Sequence, residues 1–149
     1  MAAALLAGCG GGGGGGSDRS AIDTAVQRWA ADTRAFDEQF RACGTRVSPT
    51  HGVFSACMRT PPLDYKPAAV ALRRAFESRA SCKREAGGAK RLLTRDVSVM
   101  EQEIALSDRV VDAAIARRRL RGPVPAAFDA RSQRTIGGDL VELRKLSRC

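Results

Sequence analysis

Along residues 20–44 the apolar or small positions Ile22, Val26, Trp29, Thr33, Phe36, Phe40 and Cys43 recur at alternating steps of four and three. This is the spacing of one face of an α-helix. Arg28, Asp32, Glu38 and Arg41 fall on the opposite face, so the helix has one apolar and one solvated side. The pattern predicts that Ser20 caps its start, with Asp23 three residues on, and that Gly44 closes it as the residue after the C-cap.

The next segment, residues 45–66, loses the period: Pro49, Gly52, Pro61 and Pro62 interrupt it, and only a short helical turn near residues 53–58 is expected. A second helix is predicted from Asp64 as N-cap, with Pro67 in its first turn and Ala69, Leu72, Phe76 and Ala80 on one face, running to Arg84 and stopped by Gly87-Gly88. A third is predicted over residues 89–120, with Leu93, Val97, Met100, Ile104, Val111 and Ile115 on one side, Ser107 interrupting the stripe, and Gly122-Pro123 ending it. After Pro125, the sets Phe128 and Ile136, then Leu140, Leu143 and Leu146, flank Gly137-Gly138. Two glycines cost about 1 kcal/mol each inside a helix, so two short helices or one bent helix are expected. These elements imply an all-α, three- or four-helix bundle-like domain over residues 18–149, with a long loop between its first two main helices.

Composition sharpens that reading. The chain is rich in Ala, Leu, Val, Arg and Glu and only 5% aromatic, without the clustered Thr, Tyr and Ile of strands. Its net charge is +9, and the excess lies after Gly44. A basic surface favours anionic partners. Yet 21 of the 25 basic residues are Arg, and an Ala-, Gly- and Arg-rich composition also arises from GC-rich coding without any binding role. Net charge therefore assigns no partner by itself.

The N-terminal stretch adds an address. Leu6-Ala7-Gly8-Cys9 stands at the foot of a short apolar run and is followed by seven glycines, Gly10 to Gly16. It resembles the lipobox of bacterial lipoproteins. That resemblance implies a diacylglycerol on the Cys9 sulfur, removal of residues 1–8, and residues 9–17 as anchor plus flexible linker. The apolar run is shorter than the roughly 7–15 residues of a signal h-region, and no Lys or Arg precedes Arg19, so residues 1–8 are read as a truncated signal peptide. Gly10 takes the place where an Asp signals inner-membrane retention in that class, which favours the outer membrane, facing the periplasm. Two acyl chains anchor stably without any transmembrane helix.

Four further cysteines, Cys43, Cys57, Cys82 and Cys149, suit an exported domain with two disulfides. Three connectivities are open. Cys43–Cys57 with Cys82–Cys149 is favoured, because the first closes a short loop and the second ties down a chain end.

Catalytic motifs are missing. His51 is the only histidine, no Gly-x-Ser-x-Gly or His-Glu-x-x-His occurs, and Gly87-Gly88-Ala89-Lys90 lacks the spacing of a phosphate loop. Cys43, His51 and Cys57 fall one short of a structural zinc site. Asp37-Glu38 and Glu101-Gln102-Glu103 read as surface ion-pairing residues. No catalytic residue, metal or cofactor is assigned. The run Arg117-Arg118-Arg119-Leu120-Arg121 complements the negative end of a helix dipole, and is also the candidate contact for anionic lipid, lipopolysaccharide or an acidic envelope protein. The expectation is a non-enzymatic, lipid-anchored envelope module. The alternatives are a small envelope enzyme or inhibitor acting through residues 45–66, and a cytoplasmic nucleic-acid binder, disfavoured because no aromatic residues interleave with the cations.

Overall fold

A computed structural model describes residues 14–46, 54–116 and 125–149. The described elements are α1 (Gly14–Arg46), α2 (Phe54–Met58), α3 (Tyr65–Ser78), a 3₁₀ turn (Ala80–Cys82), α4 (Lys83–Ile115) and α5 (Pro125–Leu146). No strand occurs among the described residues. The all-α, bundle-like expectation is met.

The stripe read from residues 22–43 is the buried face of α1: Ile22, Val26, Trp29, Thr33, Phe36 and Cys43 are buried and Phe40 packs against them. Facing it are Ala68, Ala69, Leu72 and Phe76 of α3, spaced as one helical face requires. Tyr65 sets its ring edge-on to Phe36 with centroids 5.4 Å apart, and Phe40 does the same to Phe54 at 4.9 Å. The four long helices pack as a closed ring of neighbours, α1 on α3, α3 on α4, α4 on α5 and α5 on α1. The short α2 fills the gap above α3 and packs on α1 and α4.

Several helix boundaries differ from expectation. α1 begins at Gly14, so Ser20 is not a cap and the expected linker gives way to helix within residues 14–17; it continues through Gly44 to Arg46. Asp23, expected to support a cap, instead accepts a hydrogen bond from the Ser147 hydroxyl at 3.1 Å. α3 stops at Ser78 rather than Arg84: Arg79 is extended, the 3₁₀ turn follows, and α4 then runs straight through Gly87-Gly88. What moves the break is Cys82, fully buried and joined to Cys149, which fixes the chain reversal on the spot. α5 is likewise continuous through Gly137-Gly138. Asp64 precedes α3 as expected but makes no side-chain cap.

The ends of these helices meet in an ordered way. A Cβ on Gly88 of α4 would touch Leu146 of α5 at 3.4 Å, Cys82 joins Cys149 with Cα atoms 5.1 Å apart, and Ser147 reaches Asp23 of α1. The starts of α1 and α4 and the end of α5 therefore share one pole. α4, 33 residues long, rises about 1.5 Å per residue, which puts Ile115 roughly 50 Å away at the other. Cys43 meets Cys57 toward that second pole, Cα atoms 5.8 Å apart.

Candidate functional site

The loop before α3 is held by α1 and α4. The Gln39 amide of α1 donates to the carbonyls of Cys57, Met58 and Pro61 at 3.0–3.2 Å. Asp108 of α4 accepts the backbone N–H of Ser55 at 2.9 Å. Between this pinned loop and α4 lies a recess of about 550 Å³, floored by Met58, Leu63 and Ile104, with Arg59, Lys66, Glu101 and Asp108 along its walls. Lys66 is ion-paired to Glu101, which raises the Lys66 ammonium. Arg59 has no carboxylate partner among the described residues. A second, shallower groove of about 350 Å³ runs between α3 and α4, with Ala69, Val70, Leu93 and Val97 at its base and Lys66, Arg73 and Lys90 on its rim. Val70 is 39% exposed there, and the groove mixes cations with apolar surface.

A different site lies inside the bundle. Along α4, the inward positions Ala89, Leu93, Asp96, Met100, Glu103 and Ser107 are buried, whereas Val97 and Ile104 are only half-buried and Ile115 is 54% exposed. The seam is rotated from the expected stripe because α4 is covered from both sides, by α3 and by α5. It places two carboxylates against α5 one heptad apart. Glu103 accepts a hydrogen bond from Ser132, and seven residues further along both helices Asp96 lies against Asp139. Glu103 is thus a buried group, not the surface ion-pairing residue expected. Arg95 clasps Asp139 through Nε, at 2.7 Å from Oδ2, and through Nη2.

Asp96 is fully buried. It faces Asp139 and the Trp29 indole, yet neither carboxylate oxygen nor the indole N–H has a partner at hydrogen-bonding geometry. Burial, reinforced by the adjoining Asp139 carboxylate, pushes the Asp96 carboxyl up to about 9, against the opposing pull of Arg95. A protonated Asp96 relieves the repulsion within the pair and supplies a donor toward Asp139. The cluster is closed to solvent at Asp96, which sets it apart from an open substrate cleft.

The third feature is charge at the pole where α3 turns into α4. Arg74, Lys83, Arg84, Lys90 and Arg91 are exposed there and have no salt bridge among the described residues. Arg144 and Arg148 add to them from the end of α5. Lys83 and Arg84 open α4, at the positive end of its dipole, where cations are disfavoured.

The cysteine pairing favoured from sequence, Cys43–Cys57 with Cys82–Cys149, is the one the structure brings to bonding distance. Cys9, His51, Arg117, Arg118, Arg119 and Arg121 lie outside the described residues. Asp37 pairs with Arg41 at 2.8 Å, as expected of a surface carboxylate. Sequence reading missed Asp96 and Asp139, although Asp96 sits three residues after Leu93 and four before Met100, on the buried period itself. Among the described residues no cluster of three or more His, Cys, Asp or Glu is placed to hold a metal, and no helix is long and apolar enough to cross a membrane. No protein-family model, curated protein or solved structure matches this chain.

Proposed function

We propose that this chain is a lipid-anchored, non-enzymatic helical module of the bacterial cell envelope, held at Cys9 on the periplasmic side of the outer membrane, that offers a basic and partly apolar surface to another envelope component. One observation carries the reading: Leu6-Ala7-Gly8-Cys9 precedes a helical domain whose other four cysteines lie in two pairs at disulfide distance, a combination suited to an oxidising compartment. The groove between α3 and α4 and the basic pole supply the surface. Absence of catalytic motifs from the sequence supports a binding role. Metabolic labelling with an acyl-chain analogue tests the anchor: label on the wild type and none on Cys9→Ser is expected, and an unlabelled wild type overturns it.

The recess beside α2 favours a second reading, in which the loop over residues 45–66 binds a small ligand or an envelope enzyme. Arg59, without a carboxylate partner among the described residues and beside a recess of ligand size, is its best contact. An Arg59→Ala variant with an unchanged envelope phenotype counts against this reading.

A further inference from the structure

We infer that the pole formed by the α3–α4 turn and the end of α5 is the surface that lies against the membrane, and that it binds the anionic phospholipid headgroups there. The inference rests on the Cys9 anchor for its orientation and goes beyond it by naming the face and the partner.

Three observations converge on this pole. The first is position. Gly14, the first described residue of α1, lies five residues after Cys9, a distance of at most about 3.6 Å per residue whatever the conformation. From Gly14 the helix rises about 1.5 Å per residue to Asp23, which touches Ser147 at the pole. Even fully extended, the chain cannot put the pole more than about 30 Å from the anchor, while the opposite end of α4 is roughly 50 Å from the pole.

The second observation is charge. Lys83, Arg84, Lys90 and Arg91 occupy one exposed side of the first turns of α4 at steps of seven. Arg148 lies beside them in the chain end that Cys149 fastens to Cys82. These side chains make no salt bridge among the described residues, a property they share with Arg34, Arg59, Arg109, Arg131 and Arg134 elsewhere; what sets those of α4 apart is their spacing along one side of the helix.

The third is the placing of two of these cations: Lys83 and Arg84 stand in the first turn of α4 beside its acidic residue, Glu85, at the positive end of the helix dipole, where cations are disfavoured. An anionic surface facing them offsets that term. The Arg117 to Arg121 run, by contrast, follows the far end of α4.

The test uses the Cys9→Ser chain, which carries no acyl group, with phosphatidylcholine vesicles containing or lacking phosphatidylglycerol. Cosedimentation is expected only with phosphatidylglycerol, and is expected to vanish as salt is raised from about 0.1 M to about 1 M, where the screening length falls to about 3 Å. Each juxtamembrane cation strengthens such binding about fivefold. Replacing Lys83, Arg84, Lys90 and Arg91 together with Gln should therefore weaken it by about 100-fold or more, and Arg144→Gln with Arg148→Gln, in and just after the last turn of α5, by at least about tenfold. Replacing the exposed Arg34, Arg109, Arg131 and Arg134 with Gln removes the same charge away from the pole and should leave binding nearly unchanged. Equal losses in the two fourfold variants, no preference for phosphatidylglycerol, or tighter binding to a single-stranded RNA oligonucleotide than to the vesicles each overturns the inference. A negative acyl-labelling result removes the anchor without touching these vesicle measurements, so the two proposals fail separately.

Discussion

Asp96 makes the folded state sensitive to pH through a single proton. Its carboxyl has no exposure and no well-formed hydrogen bond, and Asp139 on α5 adds negative charge beside it. The groups facing it are Asp139 from α5, Arg95 from α4 and the neutral indole of Trp29 from α1. In the unfolded chain the carboxyl titrates at its ordinary value of 3.8, and in the folded chain at about 9. Between these limits the unfolded state holds fewer protons than the native state, so stability falls as pH rises, by up to about 1.4 kcal/mol per pH unit for one group. Thermal melts should therefore show a decline in Tm from pH 5 toward 9. Asp96→Asn keeps the shape, removes the proton and supplies an amide donor for Asp139, so it should flatten that decline and stabilise the fold at pH 8 by about 1–3 kcal/mol. An unchanged slope in the variant would show that the dependence comes from elsewhere. None of this is written in the spacing of apolar residues: a period identifies which positions turn inward, but a buried Asp on that period reads as a break in the stripe until the helix opposite it, carrying Asp139, is in place.

At the scale of elements, existence and type were legible and boundaries were not. The α1 stripe from Ile22 to Cys43 lies on the buried face, with Phe40 partly covered and Ala30 added to it, because a helix packed on one side shows its core as a clean period. α4 is packed on two sides, so its half-buried Val97 and Ile104 mimic a core stripe while the true seam runs through Asp96 and Glu103. Glycine pairs misled for a related reason. Gly87-Gly88 reads as a stop, and Gly137-Gly138 as a break or a bend, from local propensity, yet tertiary contacts at Leu143 and Leu146 on one side and the Arg95–Asp139 pair on the other accompany both helices through. Gly88 then lets Leu146 pack closely on α4, whereas Gly137 and Gly138 sit in the interior of α5 with no packing role. No atom lies within 4 Å of a Cβ built on Gly137 or Gly138, and both positions are exposed. Gly137→Ala and Gly138→Ala should each stabilise the protein by about 0.5–1 kcal/mol, measured as a shift in the denaturation midpoint with the m-value unchanged. A loss of stability from both would mean that α5 bends there in solution, as its sequence first suggests.

For the molecule as a whole, the cysteine pairing was legible from chain logic, whereas the meeting of helix ends at one pole was not, since it depends on contacts such as Ser147 with Asp23 that join residues 124 apart. The two bridges do different work. Cys43–Cys57 closes a segment of separation 14 beside a loop that Gln39 and Asp108 also hold. Cys82–Cys149 spans a separation of 67 and fastens the end of α5 to the α3–α4 turn, where α5 otherwise relies on Leu143, Leu146 and the contact of Ser147 with α1. Chain entropy alone gives about 3 kcal/mol for the short loop and about 4 kcal/mol for the long one. The native contacts widen that difference, because loss of the second bridge frees a chain end whose neighbours include the cations of the basic pole, which make no salt bridge among the described residues. Replacing Cys82 and Cys149 with Ser should therefore destabilise the domain more than replacing Cys43 and Cys57, and should raise amide hydrogen exchange first in the last turns of α5. Equal destabilisation, with exchange rising uniformly through the bundle, would show that both bridges act on the unfolded chain alone and that the pole is held by helix packing without its covalent tie.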